Sequence, residues 1–538
     1  MRRFVTILAV VAVMLFPPAF AEEAEAVRQD PLEAEIARQV ADAPEVLRRF
    51  YAARESRPAW VERQRVASFA EALQTLEGDG LDPRDYRADA LVAEQRRLEE
   101  AGAGHRELAR FDLQASEALL TALRHLQRGR LDPRDVDPEW EIPPAAPPLD
   151  LAAISRAVDG ERFEQAFGEV RPPYAPYERL RSGLARYRNI ERLGGWPTLP
   201  DEPRVLRAGD LDDAVAQLRR RLAMEGALEV MVADTGAFPG AELESPDPRR
   251  FDATLEAAVR RFQRRHLLDV DGAVGPQTRA ALNVPVAARI DQIRLNLERA
   301  RWLLHGLPEA FVLVDIAGYR LSYFRPGGEI WQSRIVVGQP YRRTPSLRSE
   351  ITHMTVNPTW TVPPTILRED VLPRVRRDPS YLQSQNMRVL TPSGQRLNPW
   401  QVDWHNPGNV MIRQDPGPGN ALGQVVIRFP NDHLVYLHDT PAQGLFAREQ
   451  RAFSSGCIRV QGVLEFAQLL FDDTGSGQNL RQLIASGQTR NVSLARRMPV
   501  ILHYWTVHPD GDGQLVFRPD IYDRDDALLR ALDRPLAL

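Results

Sequence analysis

The periodicity of the apolar residues changes once along this chain, and that change limits the fold more than any other feature. Up to about residue 305 the spacing is helical. In the stretch 105–127, Phe111, Ala115, Leu119, Ala122 and Leu126 recur so as to build one apolar helix face. After residue 310 the pattern becomes strand-like. FVLVDIAGYRLSYF reads as two strands around the turn Ala317-Gly318, and IWQSRIVVG (330–338), ITHMTVNPTWTV (351–362) and QVVIRF (424–429) continue it. Helices gathered before strands imply a multidomain α+β protein. Its 538 residues leave room for three to four domains at about 150 residues each. With 69 basic and 73 acidic residues the net charge is −4, which argues against a dedicated nucleic-acid binder. A hydrophobic share of 43% excludes a wholly disordered chain. No Lys occurs, so every basic residue is Arg. A single Cys excludes an internal disulfide.

The first 21 residues carry the three parts of a secretory signal. Arg2 and Arg3 precede an apolar run over 4–16, and Ala19-Phe20-Ala21 forms the cleavage site. The run is short for a transmembrane helix, which needs about 20 residues. The expected location is therefore the periplasm, or the inner-membrane surface if the segment stays uncleaved.

Residues 22–203 read as a helical scaffold. The pentapeptide LDPRD occurs at 81–85 and again at 131–135, after Gly80 and Gly129, and reads as a recurring helix terminator. The run EIPPAAPPLD (141–150) is a semi-rigid connector. In 204–284, Leu211, Val215, Leu218 and Leu222 share one helical face, as do Leu255, Ala258, Val259 and Phe262. The turns Asp271-Gly272 and Gly275-Pro276 then start a short helix ending near Leu282. An amphipathic connecting helix in 285–309 follows, with Ile290, Ile293, Leu297 and Leu304 on one side. A β-rich catalytic candidate spans 310–505, interrupted by a helical, Pro-rich insertion at 365–423. Thr365 is expected to cap a helix through ILREDVLPRV, kinked or ended by Pro373. Trp400 and Trp404 are expected to cover a groove. Residues 506–538 form a C-terminal extension.

The only Cys sits in SSGCIRV (454–460), nineteen residues after His438. Thiolate chemistry needs a base or a cation near the sulfur. Strand alternation puts Val435 and Leu437 on one face and Tyr436 and His438 on the other, with His433 on the Val435 side. It likewise separates Ile458 and Val460 from Cys457 and Arg459. Cys457 and Arg459 then share an open face, where the guanidinium should favour the thiolate. The small residues Ser454, Ser455 and Gly456 would let a substrate carbonyl approach the N–H groups of 456 and 457, an oxyanion hole. No cluster of His, Cys or carboxylates has ligand spacing, so no metal is expected.

Two resemblances follow from these motifs. The segment 204–284, with Phe262-Gln263, Asp271-Gly272, Gly275, Thr278 and Ala281-Leu282-Asn283, resembles the three-helix peptidoglycan-binding domain. His438 followed by Ser454-x-Gly456-Cys457-x-Arg459, with NPTWTVPP (357–364), resembles the L,D-transpeptidase signature, and the whole architecture is similar to the large, lid-bearing Gram-negative members. Ser455 stands where the common signature has His, and Asp439 where many members carry Gly or Ser.

The resemblance implies a cysteine acyltransferase that forms 3→3 peptidoglycan cross-links through a thioester, with stem peptides and the sacculus as partners and no cofactor. Cys457 would be nucleophile and His438 acid–base. The backbone carbonyl of Asp439 would orient the imidazole, and the Gly456 N–H would bind the oxyanion. Tyr436, Ser455, Arg459, Trp360 and Asn357 would bind substrate. The alternatives are an L,D-carboxypeptidase, an enzyme exchanging D-amino acids or attaching lipoprotein, and a non-enzymatic wall-binding scaffold. Cell-wall synthesis proteins are further candidate partners.

Overall fold

The computed structural model describes residues 30–228 and 247–536; the secretory signal lies outside the described residues. The N-terminal unit packs short helices around the long helix His105–Arg128. Phe111, Ala115, Leu119, Ala122 and Leu126 are all buried there, as their spacing requires. The two LDPRD copies start helices rather than stop them. Asp82 and Asp132 accept hydrogen bonds from the N–H groups of Arg84 and Arg134, and each following Pro occupies the first helical turn. The preceding helices stop at Gly80 and Gly129, both at positive φ. Arg130 and Asp85 join the two copies in an ion pair.

In the second unit, helices Asp213–Met224, Ala253–Arg265 and Pro276–Leu282 enclose Val215, Leu218, Leu222, Leu255, Val259 and Phe262. Leu211 precedes the first helix, where it pairs with Arg250 in an isolated bridge, and its side chain is exposed. Gln263 explains the pairing of FQ with DG. Its side-chain nitrogen donates to Asp271 Oδ1 (2.7 Å) and its oxygen accepts from Gly272 N–H (2.9 Å), so the turn is fixed from inside the core.

Helix Val286–Leu303 is not amphipathic in its setting. Its polar residues are buried as deeply as its apolar ones, because it stands between the scaffold, the catalytic sheet and the C-terminal segment. Buried Arg301 pairs with Glu298, and buried Arg299 pairs with Asp525. Residues 506–536 are likewise integral: Tyr522 Oη donates to Gly338 O, and Arg524 pairs with Asp137 and Glu139 just ahead of the connector.

The catalytic unit is a ten-stranded sheet closed on itself. Its main strands are β1 (Phe311–Asp315), β2 (Arg320–Phe324), β3 (Ile330–Gly338), β4 (Ser346–Val356), β5 (Val425–Arg428), β6 (Leu437–His438), β7 (Ala452–Ser454), β8 (Ile458–Val460) and β9 (Arg490–His503). The spatial order is β4-β5-β6-β8-β3-β2-β1-β9. Strand β9 also pairs with β4, and β7 pairs with β3. Helix Val463–Thr474 fills the interior with Phe466, Leu470 and Phe471.

The insertion is not purely helical. It has its own core and a four-stranded antiparallel sheet made by Trp360–Thr361, Met411–Gln414, Met387–Leu390 and Arg396–Leu397. Thr365 does not cap its first helix: Pro363 occupies the cap and no side chain bonds there. A wide turn over Leu367–Val371, in which Leu372 N–H donates to Leu367 O, accommodates Pro373 without ending the helical run. Trp404 is buried in this core and donates to Pro399 O, so it covers no groove; Trp400 is exposed.

Candidate active site

Strands β6 and β8 are parallel neighbours, with Leu437 opposite Ile458 and His438 opposite Arg459. Val435, Leu437, Ile458 and Val460 enter the core. Their alternates therefore share the other face: Tyr436 and His438 from one strand, Cys457 and Arg459 from the other. The rings of Tyr436 and His438 meet edge to face at 5.6 Å. His433 instead pairs with Glu141 at 2.9 Å.

His438 is 4% exposed, and its Nδ1–H donates to the carbonyl of Asp439 at 2.5 Å. That bond fixes the tautomer and leaves Nε2 with its lone pair. Burial, reinforced by Arg459, pushes the imidazole pKa down to about 3, against the pull of the Asp439 carbonyl. The Asp439 carboxylate accepts the N–H of Gln424 (2.9 Å). It fills the space where a side chain at Gly423 would stand. One residue thus orients the base and pins the segment returning from the insertion.

Cys457 is half-buried. Burial pushes its thiol up; hydrogen bonding from Tyr436 and the charges of Arg428 and Arg459 pull down but do not prevail. Arg459 thus acts in the expected sense, favouring the thiolate, but desolvation is larger. Arg428, whose guanidinium lies 4.7 Å from the Tyr436 ring centroid, was not singled out from the sequence.

The turn before the sulfur is held by Ser454 and Thr344. Ser454 Oγ donates to Cys457 O (2.5 Å) and accepts from Gly456 N–H (3.1 Å). The Gly456 N–H is therefore engaged, and the expected oxyanion hole loses one donor. The N–H of Cys457 bonds to no group among the described residues. Thr344 Oγ1 donates to Gly456 O. Gly456 adopts φ +108° with Arg343 O close to where a Cβ would be, so the position requires glycine.

Ser455 is exposed and accepts from Arg342 Nη1 at 2.7 Å. The same guanidinium pairs with Asp370 (2.9 Å) and Glu369 of the insertion. Arg342 thereby ties the insertion to the cysteine turn, a link with no signal in the sequence. The other two expected substrate residues lie elsewhere. Asn357 is buried at φ +48° and donates to Ile484 O and Gln488 O, pinning the end of β4 to the following helices. Trp360 packs on the insertion's own core.

A cysteine just ahead of β8, sharing a face with a buried, carbonyl-oriented histidine, is the local geometry that the sequence match then specifies. Residues 309–475 match the L,D-transpeptidase catalytic domain family. Over this segment the chain is similar to that family. Residues 45–184 match the scaffold domain family, and 212–282 match the family described as "Putative peptidoglycan binding domain". A Haemophilus influenzae protein named "Putative L,D-transpeptidase" is 36% identical over 218 residues, covering 40% of this chain and 44% of that protein. The chain thus spans less than half of the curated relative it matches. Solved structures it resembles include an L,D-transpeptidase from Mycobacterium smegmatis (14% identity, TM-score 0.18, 36% of this chain and 58% of that one). L,D-transpeptidase 1 of Mycobacterium tuberculosis is another (12% identity, TM-score 0.17, 37% and 67%). The multidomain α+β architecture expected from the sequence holds: helical scaffold, peptidoglycan-binding domain, and β-rich L,D-transpeptidase domain.

Proposed function

We propose that this protein is an exported, periplasmic L,D-transpeptidase that forms 3→3 cross-links from a tetrapeptide donor stem. The observation that carries the reading is the face shared by Cys457 and His438, with Nδ1 committed to Asp439 O and Nε2 free to take a proton. Both groups are neutral at rest, so attack and proton transfer go together. The Cys457 S–H proton passes to His438 Nε2 as sulfur bonds to the carbonyl between the third residue, a diamino acid, and D-Ala. The C–N bond breaks, and the imidazolium proton moves to the departing amine. The Cys457 N–H is the donor offered to the oxyanion. In the second half, the side-chain amine of another stem's diamino acid attacks the thioester. Its proton passes through His438 to the departing sulfur.

Incubating the full chain with disaccharide-tetrapeptides and resolving products by mass spectrometry tests this directly. Cross-linked dimers and a Cys457 thioester are expected. Cys457→Ala should abolish the acyl-enzyme, and His438→Ala should slow turnover by about 10²–10⁴-fold. Release of tripeptide alone would identify a carboxypeptidase. An acyl adduct persisting on Cys457→Ala would refute the assignment.

A further inference from the structure

A cavity of about 670 Å³ lies where the peptidoglycan-binding domain meets the catalytic sheet. Arg264 comes from the binding domain; Arg320, Arg334 and Arg451 come from the catalytic unit. In a chain rich in Arg–carboxylate pairs, none of these four forms one among the described residues. Arg334 donates to Phe446 O, and Arg451 donates to Ile335 O and Tyr319 O. Glu449 and Glu465 also reach the rim. Burial pushes the pKa of Arg451 down, Glu449 opposes this, and Arg334 and Arg320 lie close enough to add to the fall.

Arg320 stands directly across from Arg334 in the antiparallel pair β2–β3. Like charges at facing positions destabilise a sheet. Arg320 also faces Asp315 across β1–β2, but Asp315 pairs with Arg518, so the two exposed guanidiniums have no carboxylate partner of their own among the described residues and suit an anionic ligand. Register connects them to the active site. Arg459 faces Val336, and Gln461 N–H donates to Arg334 O, so Arg334 and Gln461 lie on the same face as Cys457 and Arg459.

We propose that this cavity is the acceptor subsite, holding the carboxylates of a peptidoglycan stem while that stem's side-chain amine reaches the thioester. The inference rests on the transfer reading given above. From Cys457 to Gln461 is four residues of extended chain, about 13 Å. The tripeptide portion of a stem stretches to about 11 Å, and the side chain of its diamino acid extends beyond that backbone, so a stem anchored here brings its amine across the gap. Leu268, Val270 and Trp331 supply the apolar wall against which such a peptide lies. The position also makes physical sense of the domain order. A strand held by the binding domain presents its stem at the end of β8 farthest from the nucleophile.

The test uses the full chain pre-acylated at Cys457 by tetrapeptide donor. A disaccharide-tripeptide, which lacks the fourth residue and cannot be a donor, serves as acceptor. Arg320→Gln and Arg334→Gln should each raise the acceptor's apparent KM, by about tenfold for loss of one charge-assisted contact. Donor acylation should be unchanged. The same acceptor with its carboxylates amidated should react weakly with the wild type and no worse with the variants. Arg320→Gln should not lower the thermal midpoint, because it removes the facing like-charge pair Arg320–Arg334. An unchanged acceptor KM, an equal loss of donor acylation, or a fall in thermal midpoint that tracks the lost transfer would each overturn the proposal. Absence of any thioester in the wild type would overturn the transpeptidase reading itself, a distinct failure.

Discussion

The sharpest consequence of the site is that its cysteine and histidine rest as a neutral pair. The imidazole holds a proton only near pH 3. The thiol lies above its usual value, which is itself roughly 8.5. Moving the proton from sulfur to nitrogen is thus disfavoured by at least about 3 × 10⁵-fold, or about 7.5 kcal/mol. Even a contact ion pair, with thiolate and imidazolium about 4 Å apart in an effective dielectric near 20, would recover only about 4 kcal/mol. The balance of about 3.5 kcal/mol leaves the ion pair at roughly one molecule in a few hundred. Alkylation of Cys457 by iodoacetamide reads the thiolate directly, since only the ionised form reacts appreciably. The rate should climb about tenfold per pH unit from 6 to 9 without a plateau. His438→Ala should leave that profile nearly unchanged while sharply reducing turnover. A plateau with a midpoint below pH 7 in the wild type, lost in His438→Ala, would show a resting thiolate–imidazolium pair and refute the reasoning.

Two further outcomes are expected. Arg342→Ala severs the link between the cysteine turn and the Glu369/Asp370 end of the insertion. It should speed amide exchange over 364–377 and raise hydrolysis relative to transfer by about two- to tenfold, since water reaches the thioester more easily; unchanged exchange and partition would show the link to be idle. The histidines at 125, 266, 438, 503 and 508 are held at about 3 to 4 by burial. The unfolded chain therefore binds protons first, and stability present above about pH 6.5 should be lost as pH falls toward 4, by up to about 1.4 kcal/mol per pH unit for each group; equal thermal midpoints at pH 7.5 and 5.0 would contradict this.

Much of the site could be read in advance because a strand's period is strict. Once Val435, Leu437, Ile458 and Val460 are assigned to the core, Tyr436, His438, Cys457 and Arg459 have nowhere to go but one shared face. The errors arise where one residue's bonding depends on distant chain. Nothing local to Gly456 reveals that Ser454 takes its N–H. Asn357 looks like an exposed polar residue until the helices after residue 463 return to it. Arg342, 113 positions from Ser455, gives no sequence signal at all. The Val286–Leu303 helix was misread for a related reason. Periodicity shows one apolar face, whereas ion pairs with the C-terminal segment bury the polar one. The LDPRD copies show a smaller ambiguity: Gly followed by Asp-Pro marks a boundary equally well whether a helix ends or begins there.

The neutral pair also bears on the second half of the reaction. A diamino acid's side-chain amine has an ordinary pKa near 10, so it approaches as an ammonium, which cannot attack. His438 is too weak a base to remove that proton to a lasting imidazolium. The proton must therefore be shed as the amine enters. Two features of the entry route favour that loss. Desolvation penalises the charged form, and the guanidiniums of Arg459 and Arg428 repel it. Both arginines already act on Cys457 in the corresponding sense. Arg459→Gln removes one of these charges from the shared face without removing the nucleophile or the base. Transfer to a stem acceptor should then need higher pH, its apparent midpoint moving upward, while hydrolysis, whose nucleophile is uncharged, keeps its profile. Measured as the ratio of cross-linked dimer to free tripeptide from pH 6 to 9.5, an upward shift in the variant supports this account. A ratio with the same pH dependence in both proteins would show that the arginines serve only to bind the stem.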